Sequence, residues 1–444
     1  MAKPPENRPF WLFIAVALPF LWLTALRVFT FNGAENSMDG FYHVALADLG
    51  WRACMATTLP QVSLSVWAEA FSDKELLYHL VLGAIRHIGR ICGIAEYPFN
   101  FSALFFAFLP VIAFVYAAWR FKVRHIWFFS ILLVTAVPEF TARMLMLRPH
   151  VMAVAIILLS CAVFRDLRRI RDYWKVVLLS MVFTWSYSNP HFILLPALAF
   201  SLPWLRRSLT AALLLPTTCV AGIILGFIIH PQFPATFINW KIQCVDVVVC
   251  MLAGNNGIVL GDELAGGKQL YWVSTGLLLV FIFNLVCFAL IARRCGPTRI
   301  PRPLLAMAIM AIVTFVGVGI SRRSFEYACP MNMMLAGMLC SRLHNLAIPL
   351  PWRLNSRKRQ GVITVLAWWL LFFAAFDCYF KFSSGRPANF HPFTHFAAWT
   401  EKVGLPAGTH IANIIWSDFP ALFYSAPQYR YLWSMDPMFG YALD

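Results

Sequence analysis

Long runs of apolar residues, separated by short polar loops, cover nearly the whole of this 444-residue chain. A membrane-spanning helix needs roughly 20 such residues, with about 17 as the lower limit. The pattern therefore predicts an all-α polytopic membrane protein with about eleven transmembrane helices. The predicted passes are 10–30, 99–118, 125–138, 148–164, 174–188, 192–205, 209–230, 270–292, 303–320, 327–341 and 361–381.

Basic residues in alternate loops indicate how these passes are oriented. The positive-inside rule places the N-terminus inside and the C-terminus outside. Counting 75–94 as a further pass would put the basic loops outside, so we predict an amphipathic helix over 74–89 at the outer interface. The loops expected on the cytoplasmic side are 119–125, 165–173, 206–208, 293–302 and 342–360.

Three longer segments are then expected on the outer side of a transmembrane domain that covers 1–381. They are a first outer loop (31–98), a middle outer loop (231–269) and a short tail (382–444). The first loop is predicted to hold two interfacial helices, over 40–50 and 74–89. The tail is predicted to be a small α/β unit, with strands within 408–416 and 428–435 and a helical stretch between them.

Composition excludes a soluble protein. The chain is 60% hydrophobic and 13% charged, whereas soluble domains are about 45–50% apolar and about 25% charged. In a soluble protein the net charge of +16 would indicate nucleic acid, but here the basic residues lie in short loops that set topology. We therefore expect membrane lipids as partners, and no nucleic acid.

The acidic residues and histidines follow the opposite distribution to the basic residues. With the predicted topology, every Asp and Glu except Glu6, Asp166 and Asp172 is assigned to the outer side. Acid–base and metal-binding groups are thus gathered on one face of the membrane. This asymmetry predicts chemistry or polar recognition at the outer surface.

The first candidate site follows the opening pass, in Ser37-Met38-Asp39-Gly40-Phe41-Tyr42-His43. Asp39 lies where the pass meets water, and partial desolvation there favours a carboxylate that acts as a base. His43 shares a helical face with Asp39, four residues on. Alternatively, Asp39 caps an interfacial helix.

A second cluster in the same loop contains Asp73, Glu75 and His79. Ser72 with Glu75 fits a capping box, which is the structural reading of the acidic residue. Glu75 and His79 are also spaced to ligate a divalent metal, with Asp39 or His43 from the other helix. The sequence therefore leaves two alternatives for these residues, a divalent metal site or a structural helix start.

Short outer turns add cations and histidines at the ends of passes. Arg148-Pro149-His150 and Asn189-Pro190-His191 each end a helix through Pro. Arg323 lies at the same predicted level, and Arg148 and Arg323 are suited to hold a phosphate through forked hydrogen bonds. In the middle loop, Asp262 and Glu263 belong either to a flexible lid or to an ordinary solvated turn.

The chain resembles the GT-C class of integral-membrane glycosyltransferases, which includes protein O-mannosyltransferases, aminoarabinose transferases and the catalytic subunit of oligosaccharyltransferases. The shared features are the layout, with Asp39 soon after the first pass, two interfacial helices, an Arg-Pro turn and an outer tail. Three short sequence segments also resemble proteins of this class: Met38-Asp39-Gly40-Phe41-Tyr42-His43, Asp73-Lys74-Glu75-Leu76-Leu77-Tyr78-His79 and Trp416-Ser417-Asp418-Phe419-Pro420.

The resemblance implies a sugar donor linked to a polyprenyl phosphate or pyrophosphate, and inverting transfer to an acceptor at the outer face. It implies that Asp39 deprotonates or orients the acceptor and that Arg148 and Arg323 neutralise the departing phosphate. Asp73, Glu75, Asp262 and Glu263 would bind the acceptor, the sugar or a metal, with His43, His79, His150 and His191 as further binding residues. The acceptor class stays open between glycan, lipid and protein.

Two features depart from the family pattern. The first loop lacks an Asp-x-Asp pair, and the Trp-Trp-Asp run of oligosaccharyltransferases is absent. Two other functions therefore remain as alternatives: a transporter or flippase of a lipid-linked or polyanionic solute, and a catalytically inactive envelope-assembly protein. Transporters commonly show internal repeats, and none stands out here. The expected location is the bacterial inner membrane, with the active site facing outside.

Overall fold

Most residues of the chain are described by the computed structural model. They are 9–31, 35, 37–93, 99–253, 267–269, 271, 274–346, 356–384, 393, 395–435 and 437–442.

The described chain is mostly helical, as its apolar periodicity predicts. Most predicted passes coincide with a helix or a pair of helices. The helices that correspond to the predicted passes are Pro9–Phe31, Asn100–Arg120, Ile126–Thr135, Pro138–Met144, Pro149–Asp166, Trp174–Ser186, Leu194–Ser201, Leu209–Ile228, Thr275–Cys295, Arg302–Val318, Ser324–Asn345 and Ser356–Ser384.

Six of the described helices are long and apolar enough to span a membrane, compared with the expected count of about eleven passes. A seventh span results if Ile126–Thr135 and Pro138–Met144 are counted together, although the two are bent by 87°. Proline explains the bend, because Pro138 begins the second helix and cannot continue the hydrogen-bond ladder of the first. Among the other segments, Pro190–Trp204 and Arg302–Val318 are shorter apolar helices.

Small residues let neighbouring helices approach closely in the membrane domain. Gly222 of Leu209–Ile228 faces Trp174–Ser186 so closely that a Cβ there would lie 2.7 Å from both Ser180 Cβ and the Val177 carbonyl oxygen. Close backbone approach of this kind is how membrane helices gain van der Waals contact. The two helices form one of the most extensive pairings of the fold.

A second, smaller core lies beside the membrane helices and joins the first loop to the tail. Helices form at both predicted positions in the first loop, as Met38–Asp48 and Leu76–Ile91, each within two residues of the expected ends. The tail helix Phe419–Ser425 packs on Met38–Asp48. Buried aromatic residues fill the space between them, among them Tyr42, Trp67, Phe419 and Phe423.

The tail strands form as predicted but are much shorter. His410–Ile411 and Arg430–Tyr431 pair in parallel, with the helix Phe419–Ser425 between them in sequence. Val62 of the first loop bridges to Tyr431 on the other side. The tail therefore completes its small sheet with backbone from the first loop, which fixes the tail against the helices that carry the candidate site.

Candidate functional site

A polar cavity of about 240 Å³ lies where the first-loop helices meet the start of the helix Pro149–Asp166. Its wall combines carboxylates, guanidinium groups and an imidazole pair with a few apolar side chains. The tail supplies part of the wall, together with the first loop and several other helices, so the cavity depends on segments that are distant in sequence. The lining residues are Asp39, His43, Lys74, Glu75, Arg143, Arg148, Pro149, His150, Tyr187, Ser188, Gln243, Arg323, Glu326, Trp416, Met435 and Met438.

Asp39 and Arg148 form an ion pair in this wall. Arg148 Nη2 lies 2.5 Å from Asp39 Oδ2, and the Asp39 side chain remains 30% exposed. Asp39 occupies the first turn of Met38–Asp48, where the helix dipole favours a negative charge. Arg148 is the extended residue just before Pro149, which begins its helix. A partly exposed carboxylate beside a guanidinium can bind both a hydroxyl group and a phosphate.

A buried brace explains why Asp39 and Arg148 meet. Glu35 Oε1 accepts hydrogen bonds from the backbone N–H of Ser37 at 3.2 Å and of Leu147 at 3.3 Å. These amides lie just before Asp39 and Arg148 in the chain. Glu35 also pairs with the fully buried Arg27, with Nη2 and Oε2 3.4 Å apart. A single carboxylate thus ties the first pass to both halves of the ion pair.

Arg143 and Glu326 form a second ion pair across the cavity. Arg143 Nε donates to Glu326 Oε1 at 2.7 Å, and His150 Nε2 lies 3.9 Å from the same oxygen. The sequence analysis missed both partners of this pair. A signal was available, since ionisable residues next to apolar segments are costly and mark function. Arg323, which was predicted, lies in the same wall.

The predicted cluster in the first loop is a chain of hydrogen bonds. Asp73 Oδ1 and Oδ2 lie 2.7 and 2.8 Å from His79 Nδ1, and His79 Nε2 lies 2.8 Å from His43 Nδ1. All three side chains are buried, and His43 alone reaches the cavity. Burial first, then the nearby His79 and Arg148, lower the pKa of His43 well below its usual value.

Glu75 contributes to the wall, and the expected capping box does not form. The helix Leu76–Ile91 starts directly after Glu75, and no side-chain hydrogen bond caps it. Instead, burial raises the pKa of Glu75, with neighbouring Lys74 opposing that shift. Lys74 Nζ in turn donates to Gln243 Oε1 at 2.9 Å. Tertiary contacts thus override the local capping signal at this position.

The remaining predicted residues are placed differently. His191 is not part of the cavity wall, but burial and the charge of Arg323 lower its pKa. Asp262 and Glu263 lie outside the described residues. No group of three or more His, Cys, Asp or Glu side chains within the described ranges is arranged to hold a metal ion. Both ring nitrogens of His79 are already engaged with protein partners.

Comparison with known proteins gives matches in structure only. No family model and no curated protein matches the sequence. The archaeal oligosaccharyltransferase AglB from Archaeoglobus fulgidus, solved with an inhibitory peptide and a dolichol-phosphate, aligns over 96% of this chain with a TM-score of 0.63. This chain has the GT-C fold. The expected resemblance is therefore confirmed at the level of architecture.

A second structure supports the same GT-C architecture. The apo form of the Archaeoglobus fulgidus oligosaccharyltransferase also gives a TM-score of 0.63 over 96% of this chain. Sequence identity is 12% and 13% for the two structures, and this chain spans 64% and 65% of their lengths. At this identity the likeness establishes the fold, and function has to be argued from the site.

Proposed function

We propose that this protein is a membrane glycosyltransferase that moves a sugar from a polyprenyl-phosphate-linked donor to an acceptor at the outer face of the membrane. One observation carries the proposal: the ion pair between Asp39 and Arg148 faces a cavity of about 240 Å³ on a GT-C fold. The archaeal neighbour, which was solved with a dolichol-phosphate, supports a lipid-linked donor of this kind.

The proposed role of Asp39 is to deprotonate or orient the acceptor. Its carboxylate is more exposed than that of Glu326, the acidic partner in the other ion pair described above, at 30% compared with 2%. An acceptor hydroxyl group in the cavity would hydrogen-bond to the oxygen that Arg148 does not hold. The lone pair of the acceptor oxygen would attack the anomeric carbon while the bond between that carbon and the phosphate oxygen breaks. The configuration at the anomeric carbon is thereby inverted.

Arg148 and Arg323 are proposed to receive the phosphate. Guanidinium groups match phosphate oxygens through paired hydrogen bonds and stay charged at any relevant pH. The negative charge that develops on the leaving phosphate oxygen would be stabilised in place by donors that the fold already positions. Arg143 and His150 lie in the same wall, and both lie beside Glu326. Glu75 and Lys74, which lie in the same wall, would bind the sugar or the acceptor.

The distribution of charged residues supports the outer face as the site of transfer. Basic loops are expected to remain inside under the positive-inside rule, and this orientation places the first loop and the tail outside. The cavity draws its wall from both of these segments. A donor assembled on a polyprenyl carrier fits the inner membrane of a bacterium, which is the location we propose.

A donor panel tests this function against the transporter alternative. Purified protein in lipid nanodiscs would be incubated with radiolabelled polyprenyl-phosphate sugars and a membrane extract as the source of acceptor. We expect label to leave the lipid and enter a new product, which identifies the acceptor class. Parallel vesicles would report label that crosses the bilayer while still attached to lipid. Crossing without release of the sugar would contradict the transferase and favour a flippase.

A further inference from the structure

We propose that Asp73, His79 and His43 form a proton relay that takes the acceptor's proton out of the cavity, with His43 as the group that receives it. This inference rests on the proposed function and assigns a step within it. Asp39 then acts by orienting the acceptor and holding Arg148, and His43 removes the proton.

The hydrogen-bond chain determines where each proton lies. A carboxylate only accepts, so Asp73 requires a proton on Nδ1 of His79. A neutral His79 then has a lone pair on Nε2, which must accept from Nδ1–H of His43 at 2.8 Å. A neutral His43 consequently has its lone pair on Nε2. Because Nδ1 is engaged, Nε2 is the nitrogen left to meet a molecule in the cavity.

The transfer step balances along this chain. The acceptor O–H bond breaks, its electron pair forms the new bond to the anomeric carbon, and the proton moves to Nε2 of His43. Nδ1 of His43 passes its own proton to Nε2 of His79. The leaving phosphate keeps the electron pair of the broken sugar–oxygen bond. After the product has left, water in the cavity takes the proton back from His43 by the reverse route.

Electrostatics give the relay its direction. A positive charge on His43 is opposed first by burial and then by His79, Arg148, Lys74 and His150. The same charge on His79 lies against the Asp73 carboxylate at 2.7 Å. Transfer of the proton to His79 therefore moves the positive charge next to a carboxylate and away from the cavity. The other titratable groups around the relay, on the elements that pack against it, are Asp39, Tyr42, Glu75, Tyr78, His150 and His230.

Of the three relay residues, His43 is the catalytic residue, and Asp73 and His79 act through it as positioning residues. Asp73 also has a structural role, because it accepts from the backbone N–H of Glu75 and its own N–H donates to Gln232. Asp73→Asn keeps the size and one accepting oxygen. It is therefore the variant that isolates the charge from the packing.

The first test uses the pH profile of transfer. General acid–base groups contribute about 10² to 10⁴ in rate, so His43→Gln should lower kcat about 100-fold or more with little change in donor KM. The wild-type rate should fall as pH falls, because His43 must be neutral to accept. That limb should disappear in His43→Gln. Asp73→Asn should lower kcat at least about tenfold, with the acidic limb displaced to lower pH. His87→Gln, an exposed position on the helix of His79, should match wild type.

The second test needs no substrate. Protein labelled with ¹⁵N-histidine in nanodiscs would be measured by solid-state NMR near pH 7.5, with His43→Gln and His79→Gln used to assign signals. We expect both rings as Nδ1–H tautomers, with Nε2 of His43 unprotonated. A proton on Nε2 of His43 would overturn the relay. A wild-type rate and pH profile in His43→Gln would also overturn the relay, but it would leave the proposed transferase function intact. No transfer by wild type would instead refute the proposed function.

Discussion

Replacing Glu35 with Gln should destabilise the protein by about 3 kcal/mol, because it removes one partner of a fully buried ion pair. Breaking such a pair costs about 3–5 kcal/mol, since the remaining charge is left without compensation. The lower end applies here because Arg27 keeps two neutral acceptors. Its Nε donates to Asn100 Oδ1 at 2.9 Å and its Nη1 to the Leu145 carbonyl oxygen at 3.0 Å.

The assay is reversible unfolding in mixed micelles with increasing SDS, followed by tryptophan fluorescence. The matched control is Asp246→Asn, which breaks the exposed pair between Asp246 and Lys241 at 2.7 Å. Exposed pairs contribute about 0.2–1 kcal/mol, so this control should remain close to wild type. A double variant, Arg27→Met with Glu35→Gln, should recover much of the loss, because no uncompensated charge remains.

An unfolding free energy of Glu35→Gln within about 1 kcal/mol of wild type would refute this reasoning. It would mean that water reaches Arg27 or that the brace is not formed. The brace also predicts a functional effect. Without the Glu35 carboxylate to hold the amides before Asp39 and Arg148, their ion pair should loosen, and transfer should weaken along with stability.

Three further predictions test other parts of the structure. Arg323→Gln should weaken binding of a polyprenyl phosphate about 10- to 100-fold, because one charged hydrogen bond contributes about 1.5–3 kcal/mol. Binding would be measured in nanodiscs, with Arg322→Gln as the control. Equal affinities of the two variants would exclude Arg323 from the phosphate site. Gly222→Ala should destabilise by about 1–3 kcal/mol through overpacking, whereas Gly361→Ala, with no atom within 4 Å of the new Cβ, should be neutral or stabilising in the same SDS titration. Glu75→Gln should gain stability relative to wild type as pH rises. The pKa of Glu75 is raised in the folded protein, so protonated Glu75 favours folding at a pH below its pKa in the unfolded chain, and wild type loses this stabilisation as pH rises through the folded pKa. A difference in Tm between variant and wild type that stays constant from pH 5 to 8 would contradict this prediction.

The sequence predicted those parts of the site that lie at the ends of apolar segments. Asp39, Arg148 and Arg323 each stand where a hydrophobic run stops, and the structure brings all three to one cavity. This works because the bilayer fixes the depth at which segments end, so their polar flanks collect at one level. The roles of these residues in transfer remain the proposal made above.

The parts that pattern analysis missed depend on contacts between distant residues. Arg143 and Glu326 are separated by 183 positions, and no local periodicity links them. Glu75 fits a capping box in sequence, yet burial in the cavity wall decides its environment. The number of spanning helices likewise depends on segments such as Arg302–Val318, which are apolar but short. In each case packing against other helices decides the outcome.

The most direct test of the central claim compares Asp39→Asn with Asp48→Asn in the nanodisc transfer assay. Both residues lie on Met38–Asp48 and have similar exposure, and Asp48 pairs instead with Arg86 at 2.5 Å. We expect Asp39→Asn to bind the lipid-linked donor but to lose transfer by at least about 100-fold, while Asp48→Asn transfers at the wild-type rate. Full transfer by Asp39→Asn, or an equal loss in both variants, would contradict the assignment of the Asp39 carboxylate to the reaction.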